Sequence, residues 1–183
     1  MPLTQLDTKA ALIVIDLQKG IVAAATTPAA SVVVERTAEL ARAFRRRGLP
    51  GVLVNVTAAA PGRTDAGVRS GSFAADWTEL VPELEAQEGD VLISKQRRGA
   101  FAGTGLDEML RARGVTQVFL TGIATSAGVE STARGADDIG YNVVFVVDAM
   151  GDRDAEVHHF CVERIFPRLG ETETTENVLK RLA

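Results

Sequence analysis

Short runs of apolar residues alternate along this chain with longer segments of helical period. The runs are rich in Val and Ile and almost continuously apolar, as strands buried on both faces should be. This alternation is typical of a parallel sheet covered by helices on both faces. We therefore predict a three-layer α/β fold with a mostly parallel sheet of about six strands. Five runs and one alternating edge segment supply the candidates: Ala10–Ile15, Val52–Val56, Val91–Ser94, Val115–Leu120, Val143–Val147 and Thr172–Thr175.

The segments between the strands have the apolar spacing of amphipathic helices. Ser31 is the predicted N-cap of the first helix, because a serine oxygen can accept hydrogen bonds from free backbone N–H groups. Thr104 and Asp107 have the spacing of a capping box at the start of the second helix. The four predicted helices are Ser31–Arg47, Thr104–Arg113, Ser126–Ile139 and Asp154–Phe166.

One stretch, Thr57–Asp76, has no strong period and is rich in Gly, Ala and Ser. It is predicted to be a long loop over the sheet, and loops of this length in a compact domain commonly have a function. The loop could act as a lid over a site or form a contact between subunits, and for such a contact Phe73 and Trp77 are the candidate residues. No repeat or linker interrupts the chain, so residues 1–183 are predicted to form one domain.

Composition excludes several classes of function. The 183 residues are 46% hydrophobic and 24% charged, which suits one globular domain with a sizeable core. A net charge of −4 argues against nucleic-acid binding, and the basic run Arg45–Arg47 is interpreted as a solvated helix end. No apolar run is long enough to span a membrane. The single cysteine, Cys161, excludes an internal disulfide and predicts a cytoplasmic protein.

Two charged residues stand at the ends of predicted strands. Asp16 follows the apolar run Ala11–Ile15, and Lys95 ends the segment VLISK. The carboxyl ends of parallel strands form the rim of the ligand crevice in a doubly wound sheet. Partial burial there would raise the pKa of Asp16 and make it a usable general acid or base. Lys95 could pair with Asp16, hold it ionised or bind a substrate carboxylate. Turn capping by Asp16 and plain exposure of Lys95 are the structural alternatives.

Three segments together resemble the isochorismatase-like cysteine hydrolase family: ALIVIDLQ at residues 11–18, VLISK at 91–95 and TGIATSAGVESTAR at 121–134. The resemblance runs from about residue 9 to the C-terminus. It implies the strand order 3-2-1-4-5-6, a cis peptide bond between Ile123 and Ala124, and assembly as a homodimer or homotetramer. The family usually carries Asp, Lys and Cys in these segments, and the matching residues here are Asp16, Lys95 and Gly128.

The resemblance also implies which residues surround a small-molecule substrate. Gln18 completes a DxQ pattern after the first strand, and Phe101 belongs to the GAF segment that follows the lysine. Backbone N–H groups around Ala124 and Gly128 could bind an anion or an oxyanion. Arg97 and Arg98 could meet an anionic substrate or simply belong to a solvated loop. The residues expected to contact substrate are Gln18, Phe101, Ile123, Ala124 and Thr125.

Neither a metal nor another cofactor is predicted. His158 and His159 are the only histidines, and as neighbours in sequence they lie on different faces of a helix. This arrangement lacks the ligand spacing of a metal site. Cys161 shares an apolar helical face with Val157 and Phe160, so it is predicted to be a core residue and not a nucleophile.

Gly128 leaves three interpretations of function open. In the first, the protein is a hydrolase without a thiol nucleophile, and Asp16 acts as general acid or base with Lys95, as in acid-assisted cleavage of the vinyl ether of isochorismate. In the second, it is a catalytically inactive relative that binds a ligand or a partner. In the third, it is an amide hydrolase, either with its cysteine exchanged for Gly128 or with water activated by Asp16 as a base.

Overall fold

The computed structural model describes residues 3–65, 67–69 and 71–183. Eight strands are formed in this part of the chain: β1 Ala10–Ile15, β2 Gly51–Val56, β3 Gly62–Thr64, β4 Gly67–Arg69, β5 Val91–Lys95, β6 Gln117–Ile123, β7 Asn142–Gly151 and β8 Glu171–Glu173. Six of them make one open sheet in the order β5-β2-β1-β6-β7-β8. Every neighbouring pair in this sheet is parallel. Counted along the chain, the order is 3-2-1-4-5-6, which confirms the prediction.

The central strand β1 is fully buried, because both of its faces carry apolar side chains that are covered by helices. Leu12 and Val14 point into a core that includes Phe44 on one side of the sheet. Ile13 and Ile15 point into the core on the other side. Side chains alternate along a strand, so the continuous apolar run of β1 feeds both cores at once. This is the three-layer arrangement expected from the sequence.

Helices account for the two outer layers. Their bounds are α1 Lys19–Val22, α2 Ala30–Arg46, α3 Ala75–Thr78, α4 Leu106–Ala112, α5 Glu130–Asp138, α6 Ala155–Phe160 and α7 Thr175–Leu182. A π-helical turn, Thr125–Val129, precedes α5, and a second one, Cys161–Ile165, continues α6. Short 3₁₀ turns occupy Pro82–Leu84 and Phe166–Arg168.

The predicted N-cap Ser31 is wrong, and of the predicted capping box only the Thr104 hydrogen bond forms, which its Oγ1 accepts from Leu106 N at 3.3 Å. Ala29 is the N-cap of α2, with no side-chain hydrogen bond, and Ser31 already lies inside the helix. At α4 the N-cap is Gly105, whose φ of 72° lies in the left-handed region that glycine adopts readily. The Asp107 carboxylate accepts a hydrogen bond from the Tyr141 hydroxyl at 2.7 Å, so it does not close a capping box.

The stretch Thr57–Asp76 is more ordered than the sequence indicates. Strands β3 and β4 pair as a small antiparallel hairpin within it, and the single turn α3 begins at Ala75. Backbone hydrogen bonds join Ala59 to Gly71 and Phe73 to Thr57, so the two ends of the segment lie side by side. The predicted long loop over the sheet therefore contains a hairpin that the sequence analysis did not predict, and residues 66 and 70 lie outside the described residues.

The register of the sheet brings the predicted site residues to one edge. Ile15 at the end of β1 pairs with Val54 of β2 and with Gly122 of β6. Lys95 at the end of β5 pairs with Val56. All these strands run parallel, so their carboxyl ends and the turns that follow them meet at the same rim.

Candidate active site

Asp16 lies in a sharp turn immediately after β1. Its φ of 53° places it in the left-handed region, which Asp tolerates better than most residues but which is still uncommon. The turn is held by backbone hydrogen bonds from Asp16 N to Val54 O at 3.0 Å and from Gln18 N to Asp16 O at 2.8 Å. Such backbone strain clusters at functional sites, because the surrounding structure must stabilise it.

Asp16 and Lys95 form a buried ion pair. The Lys95 Nζ donates to Asp16 Oδ2 at 2.7 Å and to the Arg97 carbonyl at 3.2 Å. Only 4% of Asp16 and 2% of Lys95 is exposed. The second carboxyl oxygen, Asp16 Oδ1, is buried and has no hydrogen-bond partner among the described residues. A buried polar atom without a partner is costly, and here it is left for a water, a proton or a bound molecule.

Burial raises the pKa of Asp16 to about 6, from an ordinary value of 3.8, although the Lys95 ammonium opposes the shift. Desolvation disfavours the charged carboxylate, and this effect exceeds the attraction of the neighbouring cation. A carboxyl group with this pKa is present in both protonation states near neutral pH. It can therefore give or take a proton during a reaction.

Gly128 lies directly against the Asp16 carboxylate. The peptide bond between Ile123 and Ala124 is cis, as the family resemblance implies, and Gly128 follows in the buried π-helical turn. A Cβ atom on Gly128 would lie 3.0 Å from Asp16 Oδ2 and 2.8 Å from Ile15 Cγ2. Both contacts are closer than ordinary van der Waals packing allows, so any side chain here would displace Asp16 or Ile15.

The backbone donors of the turn are largely used within the protein. Ser126 N donates to Asp152 Oδ2 at 2.8 Å, and Ala127 N and Val129 N both donate to the Ala124 carbonyl. These three N–H groups are therefore not free for an oxyanion. Asp152 also accepts from the Ser126 hydroxyl at 2.7 Å and from Arg153 N at 2.8 Å, so this buried carboxylate anchors the turn.

A cavity of about 330 Å³ opens beside the ion pair. Asp16, Lys95, Gly128, Ile123 and Ala124 all line it, so five of the eight predicted site residues share one surface. Its volume is at the small end of the range for ligand pockets. The remaining wall consists of apolar residues, Gln96 and three arginines, among them Ile21, Val56, Phe73, Trp77, Arg97, Arg98 and Arg153.

The other three predicted binding residues lie elsewhere. Gln18 is fully buried, and its amide group exchanges two hydrogen bonds with the backbone of Val56, which ties the turn after β1 to β2. Thr125 Oγ1 lies 2.9 Å from Nδ1 of the buried His158. Phe101 stacks on Tyr141 with ring centroids 5.7 Å apart. None of the three lines the cavity, and each joins two elements that are distant in sequence.

Phe73, Trp77 and Arg153 also line the cavity, although the sequence did not identify them as site residues. Arg153 follows the end of β7, which runs to Gly151 and not to Val147. A register irregularity between Leu120 and Gly122 lets the last residues of β7 pair again with β6, so the strand continues past its polar Asp148. With the correct strand end, the rule that identified Asp16 and Lys95 would have identified Arg153 too.

Two other residues that could act in catalysis, His158 and Cys161, lie outside this cavity. Burial lowers the pKa of His158, which favours a neutral imidazole, and the nearby His159 acts in the same direction. Burial and a hydrogen bond to Glu130 raise the pKa of the Cys161 thiol to about 12. A thiol with that pKa is almost entirely protonated at neutral pH and therefore unreactive.

A larger cleft, of about 950 Å³, lies at the amino-terminal ends of the strands, beside Lys9 and Gly51. Its most buried charges, Arg45 and Asp90, already form an ion pair at 2.7 Å. Arg46 and Arg113 in its wall are exposed to solvent. The smaller cavity, with its buried acid and unpartnered oxygen, is therefore the candidate active site.

Comparison with known proteins identifies the family. Residues 10–177 match the model of the isochorismatase domain family. This chain thus belongs to the isochorismatase family of hydrolases. It is 42% identical to the isochorismatase family protein YwoC of Bacillus subtilis, over 95% of this chain and 94% of the relative. The structure of an isochorismatase family protein from Burkholderia thailandensis superimposes with a TM-score of 0.93, at 42% identity and 97% coverage of both chains.

A relative with a defined activity matches over most of its length as well. Maleamate amidohydrolase of Pseudomonas putida is 30% identical, over 95% of this chain and 87% of the relative.

Two properties of the described residues limit the kinds of site that they form. Within residues 3–65, 67–69 and 71–183, no three His, Cys, Asp or Glu side chains are grouped so that they could hold a metal ion. In the same ranges, no helix combines the length and apolarity that a membrane span requires. The absence of a cofactor stays a prediction from the sequence.

Proposed function

We propose that this protein hydrolyses a small molecule with Asp16 as its general acid or base and without a thiol nucleophile. The observation that carries the proposal is the buried Asp16 carboxyl beside the cavity, which has a pKa of about 6 and whose Oδ1 has no hydrogen-bond partner among the described residues. In this proposal Lys95 orients Asp16 through Oδ2 and leaves Oδ1 for water or substrate.

In this proposal no side chain at position 128 acts as a nucleophile, because the residue there is Gly128. By the family resemblance it matches the position at which thiol members carry cysteine, and glycine has no side chain that could attack a substrate. The close approach of Asp16 Oδ2, 3.0 Å from the position of a Cβ atom, supports a site adapted to glycine, because the Cβ of any side chain would crowd the carboxylate. Cys161 does not replace the missing nucleophile, since its thiol is buried, protonated and hydrogen-bonded to Glu130.

The first candidate reaction is the hydrolysis of a vinyl ether. The protonated Asp16 gives its proton to the terminal carbon of the C=C bond, and water adds to the resulting oxygen-stabilised cation. Proton transfer and cleavage of the C–O bond then release a carbonyl compound and an alcohol. This route needs the acid form of Asp16, which a raised pKa keeps available near neutral pH.

The second candidate reaction is the hydrolysis of an amide, which the similarity to maleamate amidohydrolase favours. The ionised Asp16 takes a proton from water while the water oxygen attacks the carbonyl carbon. The same proton then passes to the leaving nitrogen as the C–N bond breaks. This route needs the basic form of Asp16.

The pH dependence of kcat/KM separates the two routes. We expect an acid mechanism to lose about tenfold in rate per pH unit above pH 6, and a base mechanism to gain as much per unit up to pH 6 and then level off. Pyruvate release from isochorismate and ammonia release from maleamate are suitable assays. Asp16→Asn should abolish either activity. Iodoacetamide should not affect it.

Two results would contradict the proposal: full activity in Asp16→Asn, or loss of activity on alkylation of the single cysteine. Asp16→Asn leaves the Lys95 ammonium buried without its carboxylate, which destabilises the fold. The double variant Asp16→Asn/Lys95→Met removes both charges and serves as the folded control, checked by circular dichroism.

The alternative is a catalytically inactive family member that binds a ligand or a partner. It is favoured by the same glycine, since the scaffold and cavity are retained without a nucleophile. It predicts ligand binding without turnover of any amide or vinyl ether.

We also propose that residues 1–183 fold as one domain that acts in the cytoplasm as a homodimer or homotetramer on a small-molecule substrate. The family match over residues 10–177 supports the single domain, and a lone cysteine without a disulfide partner suits a reducing compartment. The acidic net charge of −4 supports the absence of a nucleic-acid partner.

A further inference from the structure

One buried hydroxyl joins the loop that follows β5 to the turn between β6 and α5. Thr132, in the first turn of α5, is fully buried. Its Oγ1 donates to the Gly128 carbonyl at 2.7 Å and accepts from Ala100 N at 3.0 Å. Threonines in helices often return a hydrogen bond to the carbonyl four residues earlier, so the first bond alone would be a local feature. The second bond is not local, because Ala100 lies 32 residues earlier in the chain.

The loop after β5 packs closely on α5 at this point. A Cβ atom on Gly99 would lie 3.0 Å from the Ser131 carbonyl oxygen, so the absence of a side chain lets the two backbones approach. The next residue, Ala100, is fully buried. Since its N–H group donates to Thr132, loss of the Thr132 hydroxyl would leave a buried donor without this acceptor.

The same loop provides an acceptor for the catalytic lysine of the proposed mechanism. Lys95 Nζ donates to the Arg97 carbonyl at 3.2 Å as well as to Asp16 Oδ2 at 2.7 Å. The carbonyl of the next residue, Arg98, lies 3.8 Å from the position that a Cβ of Gly128 would occupy. The ammonium is therefore placed by two acceptors, one on the acid and one on the loop that Thr132 holds.

Together these contacts form a closed ring around Gly128. From the Gly128 carbonyl the ring passes through Thr132 and the loop to Lys95. From Lys95 it returns through Asp16 Oδ2, which lies 3.0 Å from the Cβ position of Gly128. Thr132 itself does not line the cavity, so it can affect the acid only through its neighbours.

Resting on the hydrolase function proposed above, we propose that Thr132 is a positioning residue for the Asp16–Lys95 pair. Its hydroxyl holds the loop after β5 against the turn at Gly128, and the loop directs the Lys95 ammonium to Asp16 Oδ2. A buried ion pair depends strongly on such positioning, because its attraction offsets the desolvation of both groups only at good geometry.

Thr132→Val tests the hydroxyl, because valine keeps the branched shape and removes both hydrogen bonds. We expect Lys95 to be held less firmly against Asp16, so that the carboxyl loses part of the attraction that lowers its pKa and titrates at higher pH. The ¹³C chemical shift of the Asp16 carboxyl, followed by NMR against pH, measures this without a substrate. The midpoint should rise by about half a pH unit or more. A midpoint equal to that of the wild type would overturn the proposal.

Two controls separate positioning from stability alone. Thr132→Ser keeps the hydroxyl and should restore the wild-type midpoint. Thr175→Val removes another buried hydroxyl, which donates to Asp148 Oδ1 at 2.9 Å away from the cavity. It should lower stability in urea, as Thr132→Val should, and leave the Asp16 titration unchanged. Equal midpoints in Thr132→Val and Thr175→Val would contradict the role of Thr132.

Gly99→Ala provides a second test that keeps the Thr132 hydroxyl and decides the question even if Thr132→Val does not fold. Its Cβ would push the loop away from the Ser131 carbonyl by a few tenths of an ångström. The Asp16 midpoint should again rise. An unchanged midpoint in this variant would show that the position of the loop does not govern the acid, contrary to the proposal.

The route through Lys95 is tested by a double-mutant cycle. In a Lys95→Met background, Thr132→Val should leave the Asp16 midpoint unchanged, because the cation through which Thr132 acts is absent. A shift as large as that in the wild-type background would contradict this route.

Turnover gives an independent measurement. In the assays of the proposed function, Thr132→Val should lower kcat about tenfold with little change in KM, because the acid is placed less accurately, and Thr132→Ser should restore it. The expected titration shift in a protein that hydrolyses no amide or vinyl ether would support the role of Thr132 and contradict the hydrolase proposal. Turnover that requires Asp16, with an unshifted titration in Thr132→Val, would contradict the role of Thr132 and leave the hydrolase proposal intact.

Discussion

At the scale of single residues, the protonation of Asp16 depends on two opposing effects. Removal of water raises its pKa, and the ammonium of Lys95 at 2.7 Å lowers it. The first effect is larger, so the pKa settles near 6. In the proposed mechanism the reactivity of Asp16 depends on the difference between a desolvation cost and an ion-pair attraction, and a change in either should move the pH optimum.

Lys95→Met tests this balance. Removal of the cation leaves only desolvation, so the pKa of Asp16 should rise further and its carboxyl should stay protonated over a wider range. The sign of the effect follows from the mechanism: an acid-catalysed reaction would extend to higher pH, and a base-catalysed one would be suppressed at neutral pH. The pH profile of kcat/KM measures this shift. An unchanged profile would contradict the coupling of the two residues.

Gly128→Ala tests the contact between the turn and the acid. Its Cβ would lie 3.0 Å from Asp16 Oδ2, so we expect the carboxylate to move and kcat to fall at least tenfold. Overpacking should also lower the free energy of unfolding by about 1–3 kcal/mol.

Gly135→Ala is the matched control for this variant. Its Cβ would meet Phe101 at 3.6 Å, an ordinary contact, within the helix α5. We expect full activity and equal or greater stability for it, because alanine is a better helix former than glycine. If both variants retained full activity, the proposed tight fit at Gly128 would be wrong. Urea unfolding and initial rates provide the two measurements.

At the scale of elements, the turn between β6 and α5 is fixed by hydrogen bonds from α6 and from the residue that follows β7. Asp152 binds the start of the turn through Ser126, and His158 contacts Thr125 at 2.9 Å. Asp152 also joins the Thr27 backbone through two hydrogen bonds. Three separate segments therefore fix the position of the turn relative to the strand ends.

Asp152→Asn tests this anchorage. Three N–H or O–H donors point at the carboxylate, and an amide would set its own NH₂ group against at least one of them. We expect a loss of about 1–3 kcal/mol in the free energy of unfolding, measured in urea, because a buried donor loses its acceptor. Ser126→Ala, which removes only the hydroxyl, should cost about 1 kcal/mol. An equal cost for the two variants would show that Asp152 does not organise the backbone of the turn.

At the scale of the whole molecule, two apolar side chains on the surface suit a contact between subunits. Leu92 on the edge strand β5 is 67% exposed, and Phe160 at the end of α6 is 58% exposed. Large apolar residues left in solvent commonly mark an interface when they belong to a wider patch.

The predicted assembly is tested by sedimentation velocity. We expect a species of two or four times the 19.4 kDa chain mass at micromolar concentration. Leu92→Lys and Phe160→Lys should each be soluble. The variant that lies in an interface should shift the distribution toward the monomer. A monomeric wild-type protein throughout the micromolar range would contradict the prediction.

The sequence alone was sufficient for the architecture, and it named the two charged residues that the fold brings together at the candidate site. Continuous apolar runs identified the buried parallel strands, because a strand covered on both faces has no solvent-facing positions. Strand ends then located Asp16 and Lys95, since parallel strands bring their carboxyl ends to one rim. The glycine at position 128 was equally visible, because the absence of a side chain needs no structure to be recognised.

Only the tertiary structure decided which residues meet. Gln18, Phe101 and Thr125 were expected at the substrate, but their partners, Val56, Tyr141 and His158, come from segments that become neighbours only on folding. Phe73 and Trp77 reach the cavity because the segment after β2 folds back over it.

The protonation of Asp16 was likewise decided by the fold. Its partner Lys95 is 79 residues away in the sequence, and its pKa depends on how much water the packed structure removes. A periodic pattern reports which face of an element is buried, because burial repeats along the chain. Distances between side chains on different elements do not repeat, and they determine the electrostatics of the site.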